Sequence, residues 1–289
     1  KIDCITILEI VTQLILCKAC LDSMSLIAVA QFCASIDTEK NLEICTKLLK
    51  DGAQRGAKMI FFPEASDFIT SNSEQIANLT SLYSNNFVDS ISNIAKEQKI
   101  WVSICVHETS SYLDHVYNAH LLINSEGIII EKYYKLHLYD VEIRNELKML
   151  ESKTTLKGEK IIDPVTTPLG KIGLMICYDL RFPELSLELR KRGSDILTYP
   201  SAFTVKTGQA HWAIETQTYV VASAQIGQHD HKRASFGNAM IIDPWGTVLA
   251  RCPDTSDPSI ALAEIDLNRL NKIRREMPVL SHRRTDLFN

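Results

Sequence analysis

The chain has 289 residues, 45% of them apolar and 23% charged, enough to bury a large core in one big domain or two closely merged ones. A formal net charge of -4 gives no electrostatic reason to bind nucleic acid or an anionic membrane face, so small-molecule chemistry is the expectation. Eight cysteines scattered through apolar runs fit reduced thiols better than a disulfide framework.

Residues 1–23 are read as an N-terminal extension outside the fold, and residues 24–289 as the folded domain. The apolar stretch ITILEIVTQLILC is interrupted by Glu9 and Gln13, is too short to span a bilayer, and is followed by no small-x-small cleavage site. Cys17 and Cys20 form a lone CxxC with no second pair and no histidines at finger spacing, so no metal is assigned to them. Met24 then opens a strand, SLIAVAQF. Asp37 or Thr38 caps a helix in which Leu42, Cys45, Leu48 and Leu49 recur at helical spacing, ending near Gly52 to Gly56. The strand KMIFF delivers Pro63 and Glu64 just beyond its end, where ligands meet α/β sheets.

A second helix is predicted around Asn86 to Gln98, leading into the strand IWVSICV. Two strands, HLLIN and IIIEKYY, join antiparallel through a turn at Ser125 to Gly127, and Lys135 stands where the second runs out. The segment DVEIRNELKMLESKTTLKGEK, which contains Glu151, is charged and weakly periodic. It reads as a surface excursion able to cover a pocket. The hairpin signal TPLGKIG leads into a buried strand, Ile172 to Ile176, that stops at Cys177, with Pro183 at the first helical position beyond. A cysteine at such an elbow projects into a pocket near a helix N-terminus, which favours its thiolate. The helix ends at Arg190 to Gly193, and the strands DILTYPSAF and TYVVASAQ follow, separated by Thr204 to Gln217, room for only a short helix. NAMIIDPWGTVLARC and IALAEIDL supply further strands, with a turn at Pro244 to Gly246, before a basic helix around Asn268 to Glu276. Helices outside and sheets facing one another make an α/β sandwich.

Glu64, Lys135 and Cys177 each stand at the end of a strand. In that order FFPE, YYKLHL and MICYDLRFPEL resemble the nitrilase (carbon-nitrogen hydrolase) superfamily, and CYDLRFPELSL, TYPSAFTVKTGQAHW, KRASFG, DPWGTVLARC and SHRRTDLF resemble its Nit branch, from Ser25 to Phe288. The resemblance implies a four-layer α-β-β-α sandwich, no cofactor, a cytoplasmic or mitochondrial location and a homo-oligomer. It also implies hydrolysis of a small linear amide, deaminated glutathione being the branch's best-known substrate, to a carboxylate and ammonia through a cysteine thioester. Cys177 would be the nucleophile, Glu64 the base and acid, and Lys135 with the backbone N–H of Tyr178 the oxyanion donors. Glu151 matches the family's second glutamate. Arg181 is open to two readings, a partner for a substrate carboxylate or a structural ion pair with Asp179 or Glu184. Lys206, Arg233, Arg283 and Arg284 are further basic candidates.

The chain departs from the family pattern after His211-Trp212, where about seven residues, two helical turns, are missing. The family's glutamate and buried arginine go with them, which leaves the packing behind the nucleophile strand to be supplied otherwise. SICVHE in place of a glycine-containing strand end is expected to narrow the pocket. Two rival readings are an amidase of other specificity, such as an omega-amidase, and a folded but catalytically impaired scaffold.

Overall fold

Alternate residues of the first strand, β1 (Met24–Phe32), face two different cores, and that alternation sets the layering of the molecule. The computed structural model describes residues 24–143, 147–203 and 210–283; the readings for residues 1–23, Cys17 and Cys20 included, lie outside them. After β1 comes α1 (Thr38–Gln54), whose N-cap Asp37 accepts the Lys40 N–H at 3.0 Å. Then follow β2 (Met59–Phe61), α2 (Ser73–Gln98), β3 (Trp101–Thr109), β4 (Val116–Ile123) and β5 (Ile129–Tyr134). A hairpin of β6 (Asp140–Ile143) and β7 (Leu147–Leu150) leads through a 3-10 turn at Glu151–Lys153 to β8 (Thr155–Leu156), β9 (Val165–Thr167) and β10 (Gly170–Leu174). A second 3-10 turn, Cys177–Arg181, precedes α3 (Pro183–Lys191) and β11 (Ile196–Thr198). The remainder is α4 (Ala210–Thr216), β12 (Tyr219–Ala222), β13 (Ala224–Gln228), β14 (Ala234–Phe236), β15 (Met240–Ile242), β16 (Val248–Arg251), β17 (Ser259–Asp266) and α5 (Leu267–Glu276).

The strands form a nine-stranded sheet along β14-β13-β1-β2-β3-β4-β5, with β17 added to β1 and β8 to β4, and a six-stranded sheet, β16-β15-β12-β11-β10-β9. Ile27, Val29, Met59 and Phe61 of the first sheet pack against Ile172, Leu174, Ile196 and Val221 of the second. On the outer face of the first sheet, Ala28, Ala30, Ile60 and Val102 meet Cys45, Leu49, Phe87 and Ile91 of α1 and α2. On the outer face of the second, Leu197, Val220 and Ile242 meet Leu185 and Leu189 of α3 and Ala213 of α4. This is the α-β-β-α sandwich expected, its two inner faces closed on each other.

Several elements differ from the sequence reading. The helix expected at Asn86 to Gln98 begins at Ser73, because its first half buries Thr80 and Ser84 instead of an apolar stripe. The surface excursion contains the β6-β7 hairpin. TYVVASAQ is two strands: the chain breaks at Ser223, whose hydroxyl donates to the Phe62 carbonyl at 2.8 Å, so that β12 joins the six-stranded sheet and β13 the nine-stranded one. Among the described residues, no helix is long and apolar enough to cross a membrane.

Candidate active site

The nucleophile corner is built by backbone geometry. β10 runs parallel to β11, and after Ile176 the chain turns at Cys177 with φ 45°, a left-handed value that a side-chain-bearing residue adopts only when its surroundings enforce it. The Cys177 N–H donates to the Pro200 carbonyl at 3.0 Å, and Pro183 begins α3 as predicted. The thiol is nearly buried and lies close enough to Glu64 to interact with its carboxylate. Burial first, and Glu64 second, push the Cys177 thiol well above its ordinary value, with Lys135 pulling the other way. The expectation of a thiolate favoured by a helix N-terminus is therefore overturned: desolvation and a facing carboxylate outweigh the dipole of a helix that starts only at Pro183.

Both carboxylate oxygens of Glu64 and its carbonyl are held. Its Oε1 accepts from Lys135 Nζ at 2.8 Å and Asn118 Nδ2 at 2.9 Å, and its Oε2 accepts the Ala202 N–H at 3.0 Å. Its carbonyl accepts from Gln225 Nε2 at 2.9 Å. Ala65, the next residue, has φ 54°, so the backbone is also turned at the base's side of the site. Burial works to raise the Glu64 carboxyl, but Lys135, Cys177 and Arg233 outweigh it and the group is lowered. Lys135 is 1% exposed, and its Nζ also reaches Glu151 Oε1 at 3.0 Å and Oε2 at 2.9 Å. Burial would strip the proton from this amine; Glu151 and then Glu64 reverse that and raise it well above its ordinary value. The resting charges are thus two carboxylates around one ammonium, beside a neutral thiol. Glu151 is itself fixed by the Tyr139 N–H on Oε2 at 2.6 Å, and Asn118 bridges it to Glu64, donating to Glu151 Oε1 at 3.3 Å. The Cys105 thiol donates to Asn118 Oδ1 at 3.2 Å, which keeps the amide's donor end turned toward the two glutamates.

Asp179 ties the lysine to the nucleophile. Fully buried, its carboxylate accepts from Tyr133 Oη at 2.6 Å, the His137 N–H at 3.1 Å and Nδ1 at 2.7 Å, and the Ile176 N–H at 2.9 Å. Tyr133 and His137 flank Lys135, and Ile176 precedes Cys177, so one carboxylate sets the position of both segments. Arg181 consequently has no ion pair with Asp179, nor with Glu184; it stands exposed on the wall of the cavity in front of Cys177.

That cavity has a volume of about 480 Å³ and is lined by Glu64, Lys135, Glu151, Cys177, Tyr178 and Arg181, the six residues that the family resemblance singles out. The Tyr178 N–H, adjoining the thiol, has no protein acceptor among the described residues. His107, the histidine of SICVHE, lines the cavity as well, stacked on Phe68 at 4.3 Å with its Nδ1 on Asp67 Oδ1 at 3.0 Å. Of the further basic candidates, Arg233 lines the cavity together with Lys232, Arg283 is not among its walls, and Lys206 and Arg284 lie outside the described residues. Sequence reasoning missed Asn118, Asp67 and Lys232 and read Asp179 only as a partner for Arg181. Asn118, on β4 opposite the end of β3, carried no signal beyond being a polar residue in an apolar strand.

A family model described as carbon-nitrogen hydrolase matches residues 26–275. The chain is 48% identical over 275 residues to the probable hydrolase nit2 of Schizosaccharomyces pombe, covering 92% of this chain and 99% of the relative. It is 45% identical over 276 residues to the deaminated glutathione amidase of Bos taurus, covering 92% and 84%. The crystal structure of the Caenorhabditis elegans NitFhit protein superimposes with a TM-score of 0.87 at 41% identity, over 92% of this chain and 66% of that one.

Proposed function

This chain belongs to the carbon-nitrogen hydrolase family, and on that footing we propose that it is a linear amidase whose substrate is deaminated glutathione, with Cys177, Glu64 and Lys135 as the reacting groups. The observation that carries the reading is the position of Glu64, bonded to Lys135 at 2.8 Å and beside the Cys177 thiol on one cavity wall. Cys177 attacks the amide carbonyl as Glu64 takes the thiol proton. The oxyanion is met by Lys135 Nζ and the Tyr178 N–H. Glu64 returns the proton to the amide nitrogen, the C–N bond breaks, and a thioester remains on Cys177. Glu64 then takes a proton from water, the hydroxide adds to the thioester carbonyl, and collapse expels the Cys177 sulfur, which regains its proton, leaving a carboxylate product. Glu151 and Asn118 keep Lys135 charged and Glu64 aligned through both halves. Arg181 receives a substrate carboxylate.

A primary amide would release ammonia by this route. Both amides of deaminated glutathione are secondary, so its leaving group is the amine cysteinylglycine, and an ammonia assay is blind to it. The test is liquid chromatography with mass detection of the acid and amine products. The parent chain is expected to release both and, when acid-quenched during turnover, to carry an acyl adduct on Cys177, whereas the Cys177→Ala variant releases neither and the Glu64→Gln variant forms no adduct. Product release by Cys177→Ala at the parent rate refutes the reading; a cooperative melt with no adduct and no product supports the scaffold instead. The same reading carries a homo-oligomer, checked by light scattering, and a reducing cytoplasmic or mitochondrial compartment, checked by cell fractionation.

A further inference from the structure

Charge is unevenly spread over the cavity. In its depth, Glu64 and Glu151 are both taken up by Lys135 and Asn118. On its outer walls stand Arg181, Lys232 and Arg233, and among the described residues none of these side chains has a carboxylate within ion-pair distance. Unmatched cations over a cavity in a chain of net charge -4 are a feature of the site and not of the composition.

The turn carrying Lys232 and Arg233 joins β13 to β14 and is built around Asp230. Asp230 Oδ1 accepts the Lys232 N–H at 2.8 Å and the Arg233 N–H at 3.0 Å, and Oδ2 accepts the Ser71 N–H at 2.8 Å. The turn's own carboxylate is thereby spent on backbone amides instead of on its cationic neighbours, and the turn is fastened to the segment that enters α2. The Arg233 carbonyl closes the turn, accepting the His229 N–H at 2.9 Å. The backbone that carries both side chains is held by these bonds, so a bound anion has only the two side chains left to order. Arg233 also lies near enough to Glu64 to help hold its carboxyl down, so one of the two cations stands near the group that protonates the departing amine.

On the amidase reading above, we infer that Lys232 and Arg233 form a carboxylate subsite for the leaving half of the substrate. The enzyme then selects amides whose amine half ends in a carboxylate, while Arg181 serves the acyl half. Deaminated glutathione carries a carboxylate at each end, and its glycine carboxylate is the group assigned to Lys232 and Arg233.

Calorimetric titration of the Cys177→Ala protein with deaminated glutathione and with its glycine methyl ester tests the subsite apart from turnover. The acid is expected to bind about tenfold more tightly than the ester, the difference one charge-assisted hydrogen-bonded contact makes. The preference should vanish when Arg233→Gln is added and persist in part with Arg233→Lys. Equal affinity for acid and ester, or no binding of either, overturns the subsite even if the Cys177 protein is an active amidase. Failure of the Cys177 protein to cleave either compound, with the acid still preferred in binding, overturns the amidase reading and leaves the subsite standing. Should Arg233→Gln not fold, Lys232→Gln and the acid-to-ester ratio in the otherwise unchanged protein decide the matter.

Discussion

His120 should make the fold acid-sensitive at a point directly behind the nucleophile. The ring is fully buried on β4; its Nδ1 bonds the Met175 carbonyl at 3.0 Å and its Nε2 the Ser103 hydroxyl at 2.6 Å, so it ties the nine-stranded sheet to the strand end leading into Cys177. Burial pushes the imidazole down from 6.5 to about 4, against the smaller upward pull of the Met175 carbonyl. The folded protein therefore keeps His120 neutral where the unfolded chain takes up a proton, and stability falls as the pH drops from 6.5 toward 4. At about 1.4 kcal/mol per unit the full loss is about 3 kcal/mol, of which about 2 kcal/mol falls between about pH 7.5 and pH 5. Urea unfolding of the parent and of His120→Gln at those two values isolates the term. The variant should be the less stable at the higher pH, and the gap should narrow by about 2 kcal/mol at the lower one. A gap that stays constant refutes the buried neutral imidazole.

Iodoacetamide alkylation of Cys177 should accelerate only above its ordinary thiol value, since burial and Glu64 raise it, while kcat/KM stays level across neutral pH and falls in acid as Glu64 is protonated below 4.5. A thiol midpoint near neutrality contradicts this. Lys135→Met should lower kcat by roughly 10² to 10³ through loss of an oxyanion donor, and should move the acid limb of the pH profile upward, because Glu64 loses the cation that lowers it. Asn118→Leu should lower kcat by about tenfold or more, the worth of one hydrogen bond to a charged group, with the circular dichroism spectrum unchanged. Gly158→Ala should lower activity too: the Gly158 N–H donates to the Lys135 carbonyl at 2.9 Å, and an added methyl would press on the Tyr134 backbone.

The strand ends were legible because buried apolar runs announce themselves, and three chemically complementary residues at three such ends suffice to point at a site. What escaped the sequence are the residues that fix those three. Asn118 and Asp179 act through atoms brought from distant segments, Asn118 from β4 onto Glu64 and Glu151, Asp179 from the elbow onto Tyr133 and His137. No periodicity encodes such meetings. The thiol's ionisation was misjudged for a related reason: a helix N-terminus is visible in the sequence, whereas the depth of burial and the facing carboxylate that overrule it are tertiary facts. The first half of α2 was invisible because threonine and serine stand at its buried positions, Thr80 and Ser84, where a pattern search looks for leucine.

The sequence reading expects the family pattern to break after Trp212, and the effect of such a break on the nucleophile depends on what the wall behind Cys177 is made of. Leu180, Leu185, Leu189, Leu197, Tyr199 and Val220 form that wall together with Ala213 of α4, which is fully buried. Tyr199 is further pinned by the Ser186 hydroxyl at 2.8 Å, and Arg190 of α3 donates to the Thr216 carbonyl at 2.7 Å, so the arginine that fastens α4 comes from the neighbouring helix instead of from α4 itself. Among the described residues the wall thus draws most of its apolar side chains from α3, β11 and the turn before α3, with Ala213 coming from α4. The elbow is meanwhile held from its other side by Asp179 on the Ile176 N–H and by His120 on the Met175 carbonyl. Neither tether passes through the segment after Trp212, so both hold the backbone at Cys177 from elements outside it.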